Sequence, residues 1–256
     1  MTDPARPASP PGDEVPEAGP PAPTWSAWEA IPVFLISIVV AGMLSLPFIS
    51  THPSTAQQLG AAIMTELALG ATVLGWLYAR HRPSLPALGV PRRPAADIVV
   101  GFVFGLGLVA LLVYGFGSFL IWLLETVSGN HHVRVPRQLP GGTPHGGDVL
   151  LVALLVVLVA PVCEELFFRG LVFKGLRRRY GFGISAALSG LVFGLAHLEQ
   201  AIPGPWQNAF LLVGVLALVG VGLALIYERR GTIAANMAAH SAFNVIGFLI
   251  IVKVIQ

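Results

Sequence analysis

Charge is what this sequence lacks. Asp, Glu, Lys and Arg make up 11% of its 256 residues, where a soluble globular domain carries about a quarter. A solvated enzyme surface cannot be built from so few. Cysteine is nearly absent as well: Cys163 stands alone, which rules out a disulfide within the chain and a metal site made of thiolates only. The net charge of +2 is small. Its basic residues lie between apolar runs, so they read as topology signals and not as a nucleic-acid surface.

What fills the chain is hydrocarbon: 55% of the residues are hydrophobic and the mean hydropathy is +0.76. Apolar stretches near or above the roughly 20 residues that cross a bilayer follow one another. In lipid every backbone polar group must be paired internally, which a helix does for itself. The expected fold is therefore all-α, a polytopic transmembrane bundle of about seven spans with a polar cavity. The spans are expected near residues 28–49, 57–79, 97–124, 149–176, 182–197, 207–227 and 232–255. Residues 1–24, rich in proline, alanine and acids, read as a disordered tail and lack the basic and apolar regions of a signal peptide. Residues 25–147 then hold the N-terminal membrane helices, and residues 148–256 a core that carries the polar groups.

The basic residues orient the bundle. With a cytoplasmic N-terminus, Arg6, Arg80, Arg82, Arg92, Arg93, Lys174, Arg177, Arg178, Arg179, Arg229 and Arg230 fall on the cytoplasmic side. The other side receives Arg134, Arg137 and Lys253, and Arg169 alone lies within a span. This asymmetry predicts N-terminus in and C-terminus out, in the cytoplasmic (plasma) membrane.

Against that background "APVCEELFFRG", residues 160–170, is anomalous. At about 1.5 Å per residue, Glu164 lies roughly 20 Å from the end of its span, His197 roughly 21 Å along the next, and His240 roughly 14 Å along the last. All three reach one level near the middle of a core about 30 Å thick, where ionisable side chains are costly and face polar cavities. Glu165 and Arg169, four residues apart, share a helix face and can pair, while Glu164 points about 100° away. His240 and Asn244 share a face by the same spacing and offer two hydrogen-bond donors. Gly190 and Gly194, on the helix that leads to His197, let a neighbouring backbone approach closely.

The three segments "EELFFR", "FGLAH" and "HSAFN" resemble the motifs EExxxR, FxxxH and HxxxN of the CPBP family, the CAAX-protease and bacteriocin-processing (Abi-type) group. The resemblance covers about residues 148–250, in matching order and helix placement, and no position departs from the pattern. It implies an intramembrane endopeptidase in which Glu164 and His197 activate a water against the scissile carbonyl. His240 and Asn244 would stabilise the oxyanion, while Glu165 and Arg169 would brace the helix. These roles are coherent, because a carboxylate in low-dielectric surroundings holds a proton readily and donors aimed at developing charge are worth several kcal/mol. The implied partners are the lipid bilayer and a peptide or membrane-protein substrate, prenylated or bearing a leader.

Other readings compete with this one. Glu165 and Arg169 taken alone read as a structural ion pair. Glu164, His197 and His240 could form a three-ligand zinc set, although the metal-free mechanism is favoured. A chaperone or binding subunit that keeps the cavity is a further alternative. So is a transporter, but the polar groups are confined to the C-terminal half with no matching repeat before residue 148. There is no HExxH, and Asp3, Asp13, Asp97 and Asp148 lie in the tail or at span boundaries, which excludes site-2 zinc and paired-aspartate proteases. Ser189 and His197 are about 12 Å apart along one helix, too far for a dyad.

Among the remaining residues, Glu66 either lines the same cavity or pairs with a polar neighbour. His131, His132 and His145 read as solvated loop residues. Gly105 and Gly107 of "GLGLVA" read as packing glycines, and Cys163 as an inert thiol.

Overall fold

The computed structural model describes residues 23–91, 94–136, 144–202 and 204–252. These form an all-helical bundle: α1 (Ala27–Phe48), α2 (Thr55–Arg80), α3 (Pro94–Ser128), α4 (Gly147–Arg177), α5 (Phe182–Ala196), α6 (Trp206–Arg230) and α7 (Ile233–Ile251). Six of them are long and apolar enough to cross a membrane; α5 is shorter. The 15 residues of α5 rise only about 22 Å at 1.5 Å each. The run expected to span as residues 182–197 is thus shorter than a core of about 30 Å, and the 3₁₀ turn Leu198–Ala201 follows it. Most of the expected tail lies outside the described residues. Thr24 does not trail away: its backbone carbonyl accepts from Arg178 at 2.6 Å.

Local chemistry marks the helix ends. The Ser54 hydroxyl accepts from the backbone of Gln57, whose side chain answers the Ser54 amide, so α2 opens on a capping box. Gly231 closes α6 at φ 66°, a left-handed turn that glycine enters without strain. Thr232 then caps α7 through the amide of Ala235. Residues facing outward on α1, α3 and α5, such as Leu35, Val103 and Leu191, are exposed hydrocarbon, as lipid contact requires.

The bundle is organised around α4, which packs on α2, α5 and α7. Small residues bring the other pairs together. A methyl on Gly101 or Gly105 of α3 would collide with the carbonyl oxygens of Ala235 and Ala239 of α7. On α5, methyls at Gly190 and Gly194 would meet the carbonyl oxygens of Ala217 and Val213 of α6. Such close backbone approach is what holds helices together where lipid removes the hydrophobic drive. Gly107 touches no neighbour, so of the two glycines expected to pack, Gly105 does.

At one end of the bundle the cations meet their partners. Arg230 pairs with Asp97 at 2.5 Å and Arg177 with Glu228 at 2.7 Å, while Lys174 donates to the carbonyl of Ala87. Of the basic residues that set the expected orientation, Arg6, Arg92, Arg93, Arg137 and Lys253 lie outside the described residues.

Candidate active site

The site is built on a break in α4. The α-helical turn Ala160–Glu165 is flanked by π-helical stretches, Leu154–Val159 and Leu166–Phe173, a distortion that recurs at functional sites. Pro161 explains part of it. In the first π stretch the amide of Ala160 donates five residues back, to Leu155. The next donor in that register would be Pro161, which has no N–H. The carbonyl of Val156 is left over, and Asn244 of α7 fills it, its side-chain amide donating at 2.8 Å.

Glu165 points into the bundle and is fully buried. Arg169 pairs with it at 3.1 Å, His240 Nδ1 donates to it at 2.9 Å and the amide of Asn236 at 3.1 Å. Arg169, also fully buried, donates a hydrogen bond to the carbonyl of Gly220 at 3.0 Å and lies over the ring of Phe193. The expected ion pair is present, and it does more than pair: Glu165 fixes the ring of His240. Asn236 is a member that sequence reasoning missed. It is fully buried and also donates to the carbonyl of Leu223 at 2.7 Å. Its signal was the spacing of Asn236, His240 and Asn244, four residues apart on one stripe.

Glu164 points elsewhere. Its Oε2 lies 4.0 Å from Nε2 of His197 and 4.0 Å from Nε2 of His240. The helix offset and the common depth expected of these residues both appear here. His197 sits just past the last turn of α5, with Nδ1 at 2.8 Å from the carbonyl of Phe193. A carbonyl and a carboxylate can only accept, so Nδ1 carries the hydrogen in each ring. In the neutral imidazoles the Nε2 lone pairs therefore face Glu164. Glu164 Oε2 is buried without a hydrogen-bond partner among the described residues. Three acceptors surrounding one point suit a molecule that brings its own protons, which is what water does.

The remaining candidates separate cleanly. Ser189 donates to the carbonyl of Phe168 at 3.3 Å, a helix-packing bond. Cys163 is buried with its sulfur against Gly70 of α2. His131, His132 and His145 are exposed. Zinc fits the distances poorly: ligands about 2.1 Å from one tetrahedral ion lie about 3.4 Å from each other. The two separations of 4.0 Å are wider, and among the described residues no group of three or more His, Cys, Asp and Glu is spaced to hold a metal.

A carboxylate facing two imidazoles, walled in by apolar helices, can hold and polarise a water. Comparison with known proteins then supplies the family. A family model described as type II CAAX prenyl endopeptidase, Rce1-like, matches residues 146–246. An Escherichia coli protein described as an uncharacterized 24.3 kDa protein is 30% identical over 178 residues, 68% of this chain and 72% of the relative. No solved structure matches the chain. The chain belongs to the Rce1-like family of type II CAAX prenyl endopeptidases. It is a multi-pass membrane protease whose family acts on peptide substrate in a lipid environment, and nothing in that finding supports the transporter alternative.

Proposed function

We propose that this chain cleaves its substrate with a water held between Glu164 and His197, without a metal. The observation that carries the reading is the position of Glu164 Oε2, 4.0 Å from both Nε2 atoms. Glu164 takes a proton from the water as its oxygen attacks the scissile carbonyl carbon, and His197 orients that water through Nε2. The charge that forms on the carbonyl oxygen is met by His240, protonated at Nε2 and backed by Glu165. The second N–H of Asn244, the one not given to Val156, supplies the other donor. Glu164 then returns its proton to the leaving amine as the carbon–nitrogen bond breaks. Residues 148–256 make up this catalytic core, with the N-terminus in the cytoplasm of the plasma membrane.

The substrate we infer is a prenylated C-terminal peptide. An apolar cavity of about 470 Å³ lies between α2, α4 and α7, lined by Leu74, Tyr78, Leu88, Leu166, Ile233 and Met237. Leu166 follows Glu165 directly and Met237 lies one turn before His240, so a hydrocarbon chain in the cavity keeps its attached peptide beside the site. The test uses purified protein in lipid and three fluorogenic peptides: a farnesylated CAAX peptide, its unprenylated twin and a leader peptide. Cleavage of the first, lost by at least about 100-fold in Glu164→Ala and in His197→Ala with folding intact, is the expected result. Near wild-type turnover in either folded variant would overturn the mechanism. Equal cleavage of the unprenylated twin would overturn the substrate assignment.

A further inference from the structure

At the end of the bundle where α1 begins, the cations outnumber the acids that meet them. Glu29 accepts from the indole of Trp76 at 2.7 Å and meets His81 at 2.8 Å. Glu228 holds Arg177 and Asp97 holds Arg230. Those three acids are thereby engaged. Arg178 and Arg179, which follow Arg177 directly, form no ion pair among the described residues.

Both arginines line one cavity of about 220 Å³, and Ser26 and Gly175 complete its lining. Two distant segments build it, the start of α1 and the end of α4. Gly175 lets them meet, since a methyl there would collide with the amide nitrogen of Ala27. Trp25 anchors the same segment: it is buried, and its indole donates to the carbonyl of Gly170 at 3.0 Å. Arg178 gives one N–H to the carbonyl of Thr24 at 2.6 Å, which leaves its other N–H groups for a ligand. Arg179 donates no hydrogen bond among the described residues.

Two guanidinium groups and a hydroxyl, with no acid in the lining, fit a phosphate group, whose oxygens match the paired N–H groups of arginine. Depth decides what carries that phosphate. Ala27 opens the first span and Arg177 closes the fourth, so the cavity lies at the level of lipid headgroups and not of hydrocarbon. Trp28, two residues beyond Ser26, is exposed there as interfacial tryptophans are. From this juxtaposition we infer that the cavity between Ser26, Gly175, Arg178 and Arg179 binds the phosphate of an anionic membrane lipid. A lipid seated there ties the segment before α1 to α4, the helix that carries Glu164 and Glu165. The site needs none of the proposed chemistry.

The experiment places the full chain in nanodiscs of phosphatidylcholine, of phosphatidylcholine with phosphatidylglycerol, or of phosphatidylcholine with inorganic phosphate in the buffer, and reads the unfolding temperature. Phosphatidylglycerol should raise it by about 3 °C or more. Arg178→Gln with Arg179→Gln should remove the rise, and Arg179→Gln alone, which breaks no hydrogen bond of the fold, should leave less than about half of it. Arg82→Gln with Arg229→Gln is the control, because it removes the same charge from exposed arginines at the same end that do not line the cavity. That pair should keep the rise. Each reading is a difference between bilayers for one variant, so a variant that is merely less stable does not imitate the result. No rise with phosphatidylglycerol would overturn the inference. An equal loss in the two pairs would do the same, by assigning the effect to diffuse attraction between a basic face and an anionic bilayer. A rise with inorganic phosphate that matches the rise with phosphatidylglycerol would assign the cavity to a dissolved anion and overturn the lipid.

Discussion

Asn244 donates its side-chain amide to the carbonyl of Val156 at 2.8 Å, so the residue offered as an oxyanion donor also seals the break in α4. The two duties can be separated because an asparagine amide has two N–H groups. Asn244→Ala should lower stability by about 1–3 kcal/mol, the cost of a buried carbonyl left without a donor. It should also reduce kcat by about 100-fold to 1,000-fold if the second N–H meets the oxyanion. Thermal unfolding and steady-state kinetics on the same preparation read both. A stability loss with kcat unchanged would confine Asn244 to the structural duty.

Asn236 makes a contrasting case. Its amide bridges Glu165 and the carbonyl of Leu223 and lies a full turn along α7 from His240. Asn236→Leu should therefore destabilise the fold by about 1–3 kcal/mol through an unsatisfied carbonyl and a weakened Glu165. The fall in kcat should be smaller than in Asn244→Ala, since no donor to the reacting oxygen is lost. An equal or larger fall would place Asn236 in the chemistry itself.

The sequence made the site legible where its members share a helix. Glu165 and Arg169 pair across one turn, and the 100° offset of Glu164 follows from helix geometry alone. The convergence of Glu164, His197 and His240 was legible too, because depth along a span can be counted in residues. Contacts between distant segments were not. Nothing periodic connects Asn244 to Val156 or Trp25 to Gly170, whose carbonyl accepts from the indole at 3.0 Å. The π-helical register that frees Val156 depends on packing against α7, and Pro161 hints at it without fixing it. The bounds of α5 were legible to within one residue, 182–197 expected and Phe182–Ala196 found; what the apolar run hid is that it falls short of the roughly 20 residues that cross a bilayer.

The metal question has a direct test. The separations of 4.0 Å around Glu164 are wide for a zinc set, so prolonged treatment with a chelator should leave turnover unchanged. Elemental analysis of the purified protein should find well under one zinc per chain. About one zinc per chain, lost in His240→Ala and retained in Asn244→Ala, would replace the metal-free mechanism with a zinc one.

Glu165 joins stability to catalysis, and a double substitution pulls them apart. Glu165→Ala leaves the fully buried Arg169 without its carboxylate, which should cost about 3–5 kcal/mol. Replacing both partners by methionine removes the stranded charge. Buried ion pairs exchanged for apolar residues of similar volume are often neutral in stability, so Glu165→Met with Arg169→Met should recover most of the lost unfolding temperature. Activity should not follow. In the double variant His240 Nδ1 has lost the carboxylate that holds it at 2.9 Å, and with it the charge that supports a protonated ring facing the oxyanion. If kcat returned along with stability, Glu165 would be a brace and nothing more; if stability returned alone, the same carboxylate both anchors the arginine and readies His240 for its part in the reaction.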